Sequence, residues 1–107
     1  MRVPKNRQVT HPGEMLLHEF LIPMGLTQRE LSDRIKVSFQ RINQIVSGKR
    51  GVTPSTALRL GKFFGMSPGF WLNLQNKFDL QTTERSERDV LRQIRSQATA
   101  PSRQIKH

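Results

Sequence analysis

The segment 28–47 constrains the fold of this chain more than any other stretch. Leu31, Ile35, Val37, Ile42 and Ile45 supply its inward apolar positions, and most of the residues between them are polar. Leu31 and Ile35 lie one helical turn apart, Ile42 and Ile45 again share a helix face, and Val37 falls in the gap. That spacing packs two short helices at a steep angle across a tight turn. The local signals agree. Thr27 and Glu30 have the spacing of a capping box, Ser38 is a good N-cap for the second helix, and Gly48 sits where a C-cap glycine belongs. Ser32 is small, as the close approach of the two helices requires. Lys36 occupies the turn position where glycine is usual, and a left-handed backbone there is costly for a residue with a Cβ.

Helical signals continue on both sides. Pro12 and Glu14 suit the first turn of a helix whose face carries Leu16, Leu17, Phe20 and Leu21, with Pro23 and Gly25 as its stop. Thr53-Pro54 and Ser67-Pro68 each pair an N-cap with a first-turn proline. The helix after Thr53 places Ala57, Leu58, Leu60, Phe63 and Phe64 before Gly65. The helix after Ser67 carries an apolar stripe of Phe70, Trp71, Leu74 and Phe78. No strand-like alternation and no sequence repeat occur. The expected fold is therefore all-α, a five-helix helix-turn-helix domain over residues 11–80. A basic arm, 1–10, precedes it. A polar, basic extension, 81–107, follows, in which Ser86-x-x-Asp89 can cap one short helix to about Ser96 before a frayed end.

Composition narrows the function. Among 107 residues, 18 Lys+Arg stand against 8 Asp+Glu, a net charge of +10. Such a surplus fits a polyanion, whose condensed counterions are released on binding. Added solubility and an anionic membrane surface are the rival readings. The charge forms no single block, because nine basic residues lie in 1–52 and nine in 53–107. With no cysteine, disulfide scaffolds, thiolate metal clusters and cysteine nucleophiles are excluded. His18-Glu19 begins like a zincin motif, but Ile22 stands where the second histidine would be. His11, His18 and His107 read as surface or capping residues. No serine belongs to a recognisable triad, and Gly48 and Gly51 do not form a phosphate loop. The expectation is a non-enzyme with no cofactor and no metal. With no membrane-length apolar run and no leader pattern, a cytoplasmic location is expected.

Geometry supplies the site. The second helix of the pair, 38–47, would lie in a DNA major groove with its outward side chains at base edges. Gln40 and Gln44 point the same way one turn apart, and a Gln amide matches adenine N6 and N7. Arg41 can pair with guanine or take a phosphate. Phe39 can touch a thymine methyl or pack beside the turn, and Asn43 can read a base or bind the backbone. Gln28, Ser38, Ser47, Lys49 and Arg50 are placed for phosphates, which fix register without reading sequence. The rival for each residue alone is the wet face of a helix. Phe70, Trp71, Leu74 and Phe78 read as core, or as a stripe partly left for a second subunit. Val90, Leu91 and Ile94, with Arg85, Arg88, Arg92 and Arg95, read as a helix that folds onto a partner or as a solvated extension.

Two layers of resemblance follow. Thr27-Gln28-x-Glu30-Leu31 and Ile42-x-x-Ile45-x-x-Gly48-Lys49 resemble the Cro and phage-repressor helix-turn-helix regulators. Over residues 11–80, a narrower set resembles the HigA-type antitoxins, also called virulence-associated protein I. It comprises Pro12-Gly13-Glu14, Glu19-Phe20-Leu21, Gly48-Lys49-Arg50-Gly51-Val52-Thr53, Ala57-Leu58-Arg59-Leu60 and Ser67-Pro68-x-Phe70-Trp71-Leu72-Asn73-Leu74-Gln75. This resemblance implies a five-helix homodimer, joined through the region of the aromatic stripe. It implies repression of the chain's own operon and neutralisation of a small mRNA-cleaving protein toxin; a dimer with its two reading helices about one helical turn apart would read a palindromic operator. A stand-alone phage-type regulator and a non-specific nucleic-acid-binding or interaction protein are the alternatives.

Overall fold

The computed structural model describes residues 9–97. Most of the expected arm and nearly all of the expected frayed end lie outside them. Every regular element among the described residues is helical. Helix α1 (Pro12–Met15) runs through a π-helical turn (Leu16–Leu21) into α2 (Ile22–Met24). Then come α3 (Gln28–Ile35), α4 (Phe39–Val46), α5 (Pro54–Phe64), α6 (Pro68–Ser86) and α7 (Arg88–Arg92).

The capping signals translate directly. Thr27 and Glu30 form a reciprocal capping box, and Ser38, Thr53 and Ser67 each accept a first-turn N–H of the helix they open. Gly25 and Gly65 close α2 and α5 in left-handed conformation. Two expectations need correction. Pro23 lies inside α2 rather than ending it, and Gly25 is the stop. A π-helical turn precedes the proline, with the Ile22 N–H reaching back to Leu17. A widened turn accommodates a ring that would press on the carbonyl four residues earlier. Ser86 is not a cap. It is the last residue of α6, and its hydroxyl donates to the Thr83 carbonyl at 3.0 Å. The helix passes residue 80 because no glycine or proline interrupts residues 81–86, although the apolar stripe has ended. Past that point Gln81 accepts the Val9 N–H at 2.8 Å, so the two ends of the domain are tied together.

One core joins the elements. Leu16, Leu21, Leu31, Ile35, Ile42, Ile45, Val52, Ala57, Leu60 and Trp71 are buried in a single cluster. Trp71 of α6 sits at its aromatic edge, with ring centroids of Phe20 and Phe70 at 5.2 and 5.1 Å. These separations suit tilted and edge-to-face pairs. The α1 rod crosses α4 so closely that a Cβ on Gly13 would run into the Ile45 carbonyl. Gly13 therefore sets the depth at which α4 is held from behind.

Candidate nucleic-acid interface

Helices α3 and α4 form the expected pair. Leu31, Ile42 and Ile45 are fully buried between them and the rest of the core, and Ile35 nearly so. Ser32 is buried at the close approach, its hydroxyl donating to the Arg29 carbonyl at 2.8 Å. The turn places Lys36 at φ 60°, ψ 44°, in the left-handed region. It is the sole non-glycine with positive φ among the described residues. That conformation costs a residue with a Cβ about 1–2 kcal/mol.

The opposite flank of α4 is uncovered by the chain's own described residues. Phe39, Gln40 and Asn43 are exposed, and Arg41 and Gln44 are half-buried at its edges. The Gln40 side chain makes no hydrogen bond within the described residues, so its amide is free for a ligand. The other candidates carry partners. Arg29 of α3 stacks its guanidinium over the Phe39 ring at 4.4 Å. This cation–π contact holds one ring face and leaves the side chain 37% exposed. Asn43 Nδ2 donates to Gln28 Oε1 at 3.2 Å, linking α4 to the first turn of α3. Arg50 Nε donates to Gln44 Oε1 at 2.9 Å. The Gln44 carbonyl also accepts from Lys49 N, Arg50 N and Ser47 Oγ. Gln44 thus organises the basic turn after the helix. Ser38 Oγ is occupied as the cap, accepting the Arg41 N–H at 3.1 Å.

Electrostatics favour an anion on this face. Among the described residues the single salt bridge is Arg92–Asp89, at the far end of the chain. Arg29, Lys36, Arg41, Lys49, Arg50 and Arg59 are therefore not neutralised by carboxylate contacts. A cleft of about 300 Å³ opens between the turn and α5, lined by Lys36, Val37, Ser38, Arg41, Ser55 and Arg59. It contains no acidic side chain. In the first turn of α3, the Glu30 carboxyl is held below its ordinary range, first by the Thr27 N–H and then by the Thr27 side chain. No group of His, Cys, Asp and Glu among the described residues could hold a metal ion.

Two residues that hold the site together were not singled out by spacing. Arg59 of α5 donates from Nη1 to the Ile35 carbonyl at 2.8 Å and to the Lys36 carbonyl at 3.1 Å. Gln75 of α6 accepts the Val52 N–H at 2.8 Å, which fixes the chain just beyond the basic turn. Arg59 is the polar residue of the otherwise apolar run 57–60, and Gln75 is the polar end of the run 70–75; that placement was the available signal. The aromatic stripe divides. Phe70, Leu74 and Phe78 are half-buried, but Trp71 has no exposed surface. Its expected place at a subunit interface is corrected, because its own chain already encloses it.

A paired α3–α4 unit with a free polar face and uncompensated cations defines a helix-turn-helix DNA-binding protein. The helix-turn-helix family model matches residues 17–71. Virulence-associated protein I of Dichelobacter nodosus is 45% identical over 80 residues, covering 75% of this chain and 74% of that protein. Antitoxin HigA-1 of Vibrio cholerae is 40% identical over 84 residues, covering 78% and 77%. The solved HigA antitoxin of Pseudomonas aeruginosa with the higBA promoter superposes with a TM-score of 0.80 at 33% identity, covering 85% of this chain and 99% of that one. The chain belongs to the HigA-type antitoxin family of Cro-like helix-turn-helix proteins. That family is one of DNA-binding regulators, not of enzymes. No helix among the described residues is long and apolar enough to cross a membrane.

Proposed function

We propose that this chain is a homodimeric repressor of its own operon and the antitoxin partner of a small mRNA-cleaving protein toxin. The observation that carries the DNA reading is the open flank of α4, where Gln40 stands free beside cations without carboxylate partners. Gln40 reads a base edge, joined by Phe39, Arg41, Asn43 and Gln44. Gln28, Ser38, Ser47, Lys49 and Arg50 hold phosphates, and Gln44 orients Arg50 for that task. The relative solved with the higBA promoter supports promoter DNA as the target. Relatives named as antitoxins support the toxin partnership. Phe70, Leu74 and Phe78, each half-buried in one chain, have apolar surface left for a second subunit. Two recognition helices set ~34–36 Å apart would read a palindrome.

The test has two arms. Binding to the chain's own promoter and to a random duplex is measured at one stated salt concentration. Specific recognition gives a ratio of ~10³ or more, and equal affinities refute it. Co-expression with the adjacent reading frame is then scored for rescue of growth and co-purification. Binding without rescue makes the chain a stand-alone regulator.

A further inference from the structure

We propose that Arg59 is a positioning residue for DNA recognition. Its guanidinium holds the Lys36 turn in left-handed conformation and thereby sets the attitude of α4. The proposal rests on the DNA-reading role of that helix. Elsewhere in the described chain, every residue with positive φ is a glycine. At the turn, Lys36 takes the conformation in spite of its Cβ, and the end of α3 leaves carbonyls beyond its own helical bonds. Arg59 answers both conditions with one nitrogen, which donates to Ile35 O and Lys36 O. A fixed cation at a helix C-terminus also opposes the negative end of the helix dipole. The arginine is itself aimed. Its Nε donates to Ser55 Oγ at 3.3 Å, one turn back on α5. A lysine ammonium lacks this second, rigidly spaced donor.

The turn is a two-state element on this reading. Only chains with the turn in place present α4 correctly, so apparent affinity falls with the fraction in place. Removing Arg59 lowers that fraction when residue 36 is lysine. Glycine at 36 adopts the left-handed region unaided, so the arginine becomes dispensable.

The experiment uses the full chain with Arg59→Ala, Arg59→Lys, Lys36→Gly and the Lys36→Gly/Arg59→Ala double variant. Affinity for a duplex spanning the chain's own promoter, affinity for a random duplex, the salt dependence of both and thermal midpoints are measured. Arg59→Ala is expected to weaken promoter binding ~10-fold, with the random duplex and the salt slope little changed. In the Lys36→Gly background the loss shrinks to ~2-fold or less. Arg59→Lys keeps the charge and loses the Ser55 anchor, and it carries the same comparison if the alanine variant does not fold. An equal loss in both backgrounds, with the salt slope reduced by about one, makes Arg59 a direct phosphate contact and overturns the proposal. An unchanged promoter-to-random ratio with a lowered thermal midpoint reduces Arg59 to a structural residue and also overturns it. Absence of promoter preference in the unsubstituted chain sinks the DNA reading itself, and the proposal with it.

Discussion

The N–H of Val52 donates to the side-chain oxygen of Gln75 at 2.8 Å, joining the loop after α4 to α6. Gln75 is held in turn, its Nε2 donating to Asp79 Oδ1 at 3.0 Å. Gly51 lies under the same amide, and a Cβ there would come within 2.8 Å of Gln75 Cδ. The basic turn is thus seated on the helix that carries the aromatic stripe.

Gln75→Ala should cost about 1–3 kcal/mol, the penalty for leaving the half-covered Val52 N–H without its partner. Gly51→Ala alone should also destabilise, because the new methyl displaces the Gln75 amide. In the Gln75→Ala background the glycine substitution should add little, since residues sharing a partner are not additive. Urea unfolding of the single and double variants measures this coupling. Additive losses would show that the two residues do not act through one contact.

Gly13→Ala should be among the most damaging small substitutions in the chain. The methyl meets the Ile45 main chain, which cannot rotate away as a side chain can. Forced overpacking costs about 1–3 kcal/mol or more, and a backbone obstacle places this site at the upper end. Gly48→Ala is the control. A Cβ there meets open space, but φ is 79°, so the expected cost is about 1–2 kcal/mol from backbone conformation alone. Thermal unfolding should rank Gly13→Ala below Gly48→Ala. The reverse order would mean that α1 does not press on α4 as described.

His11 makes the first turn of α1 sensitive to acid. Its Nδ1 accepts the Gly13 N–H at 2.9 Å, and its ring meets Phe78 edge-on at 4.8 Å. Burial, the largest influence, pushes its pKa below 6.5, while Asp79 and Glu14 pull the other way. The unfolded chain therefore takes up the proton first as pH falls. The stabilising contribution is complete above pH 6.5 and is lost as pH drops from 6.5 through the lower folded value. Protonation also removes the lone pair that caps the helix. Thermal midpoints across that window should decline in the wild type and stay flatter in His11→Asn, which keeps a capping oxygen and does not titrate. Parallel declines would exclude His11 as the source.

The helix-turn-helix was legible in the sequence because its determinants are local. Caps at Thr27, Ser38 and Thr53 act within three residues, and Leu31 with Ile35, then Ile42 with Ile45, repeat at helical spacing. What escaped depends on distant neighbours. Arg59 looks like the wet face of α5 until α3 is packed beside it, and Gln75 looks like a polar break in a stripe until Val52 arrives. Trp71 shows the same limit from the other side. Its place in an aromatic run cannot distinguish a buried ring from one awaiting a partner, and only the packing of Phe20 and Phe64 against it decides. The end of α6 was missed because loss of an apolar stripe ends a packing surface and does not by itself end a helix.

On the proposed DNA-binding role, Gln40 and Arg50 separate reading from holding. Gln40 stands on the open flank with an unengaged amide, so Gln40→Ala should cost ~1–3 kcal/mol on the preferred sequence and relax preference at one base pair. Arg50 is oriented by Gln44 beside α4, and a cation held there suits a phosphate. Arg50→Ala should weaken all duplexes and lower the salt slope by about one. Gln44→Ala adds a third arm. It should reproduce part of the Arg50 effect, because it releases the guanidinium that the amide restrains. Binding of a panel of single-base operator variants across a salt series measures all three. A uniform loss for Gln40→Ala would remove it from base reading, and an unchanged slope for Arg50→Ala would remove that arginine from the phosphate set.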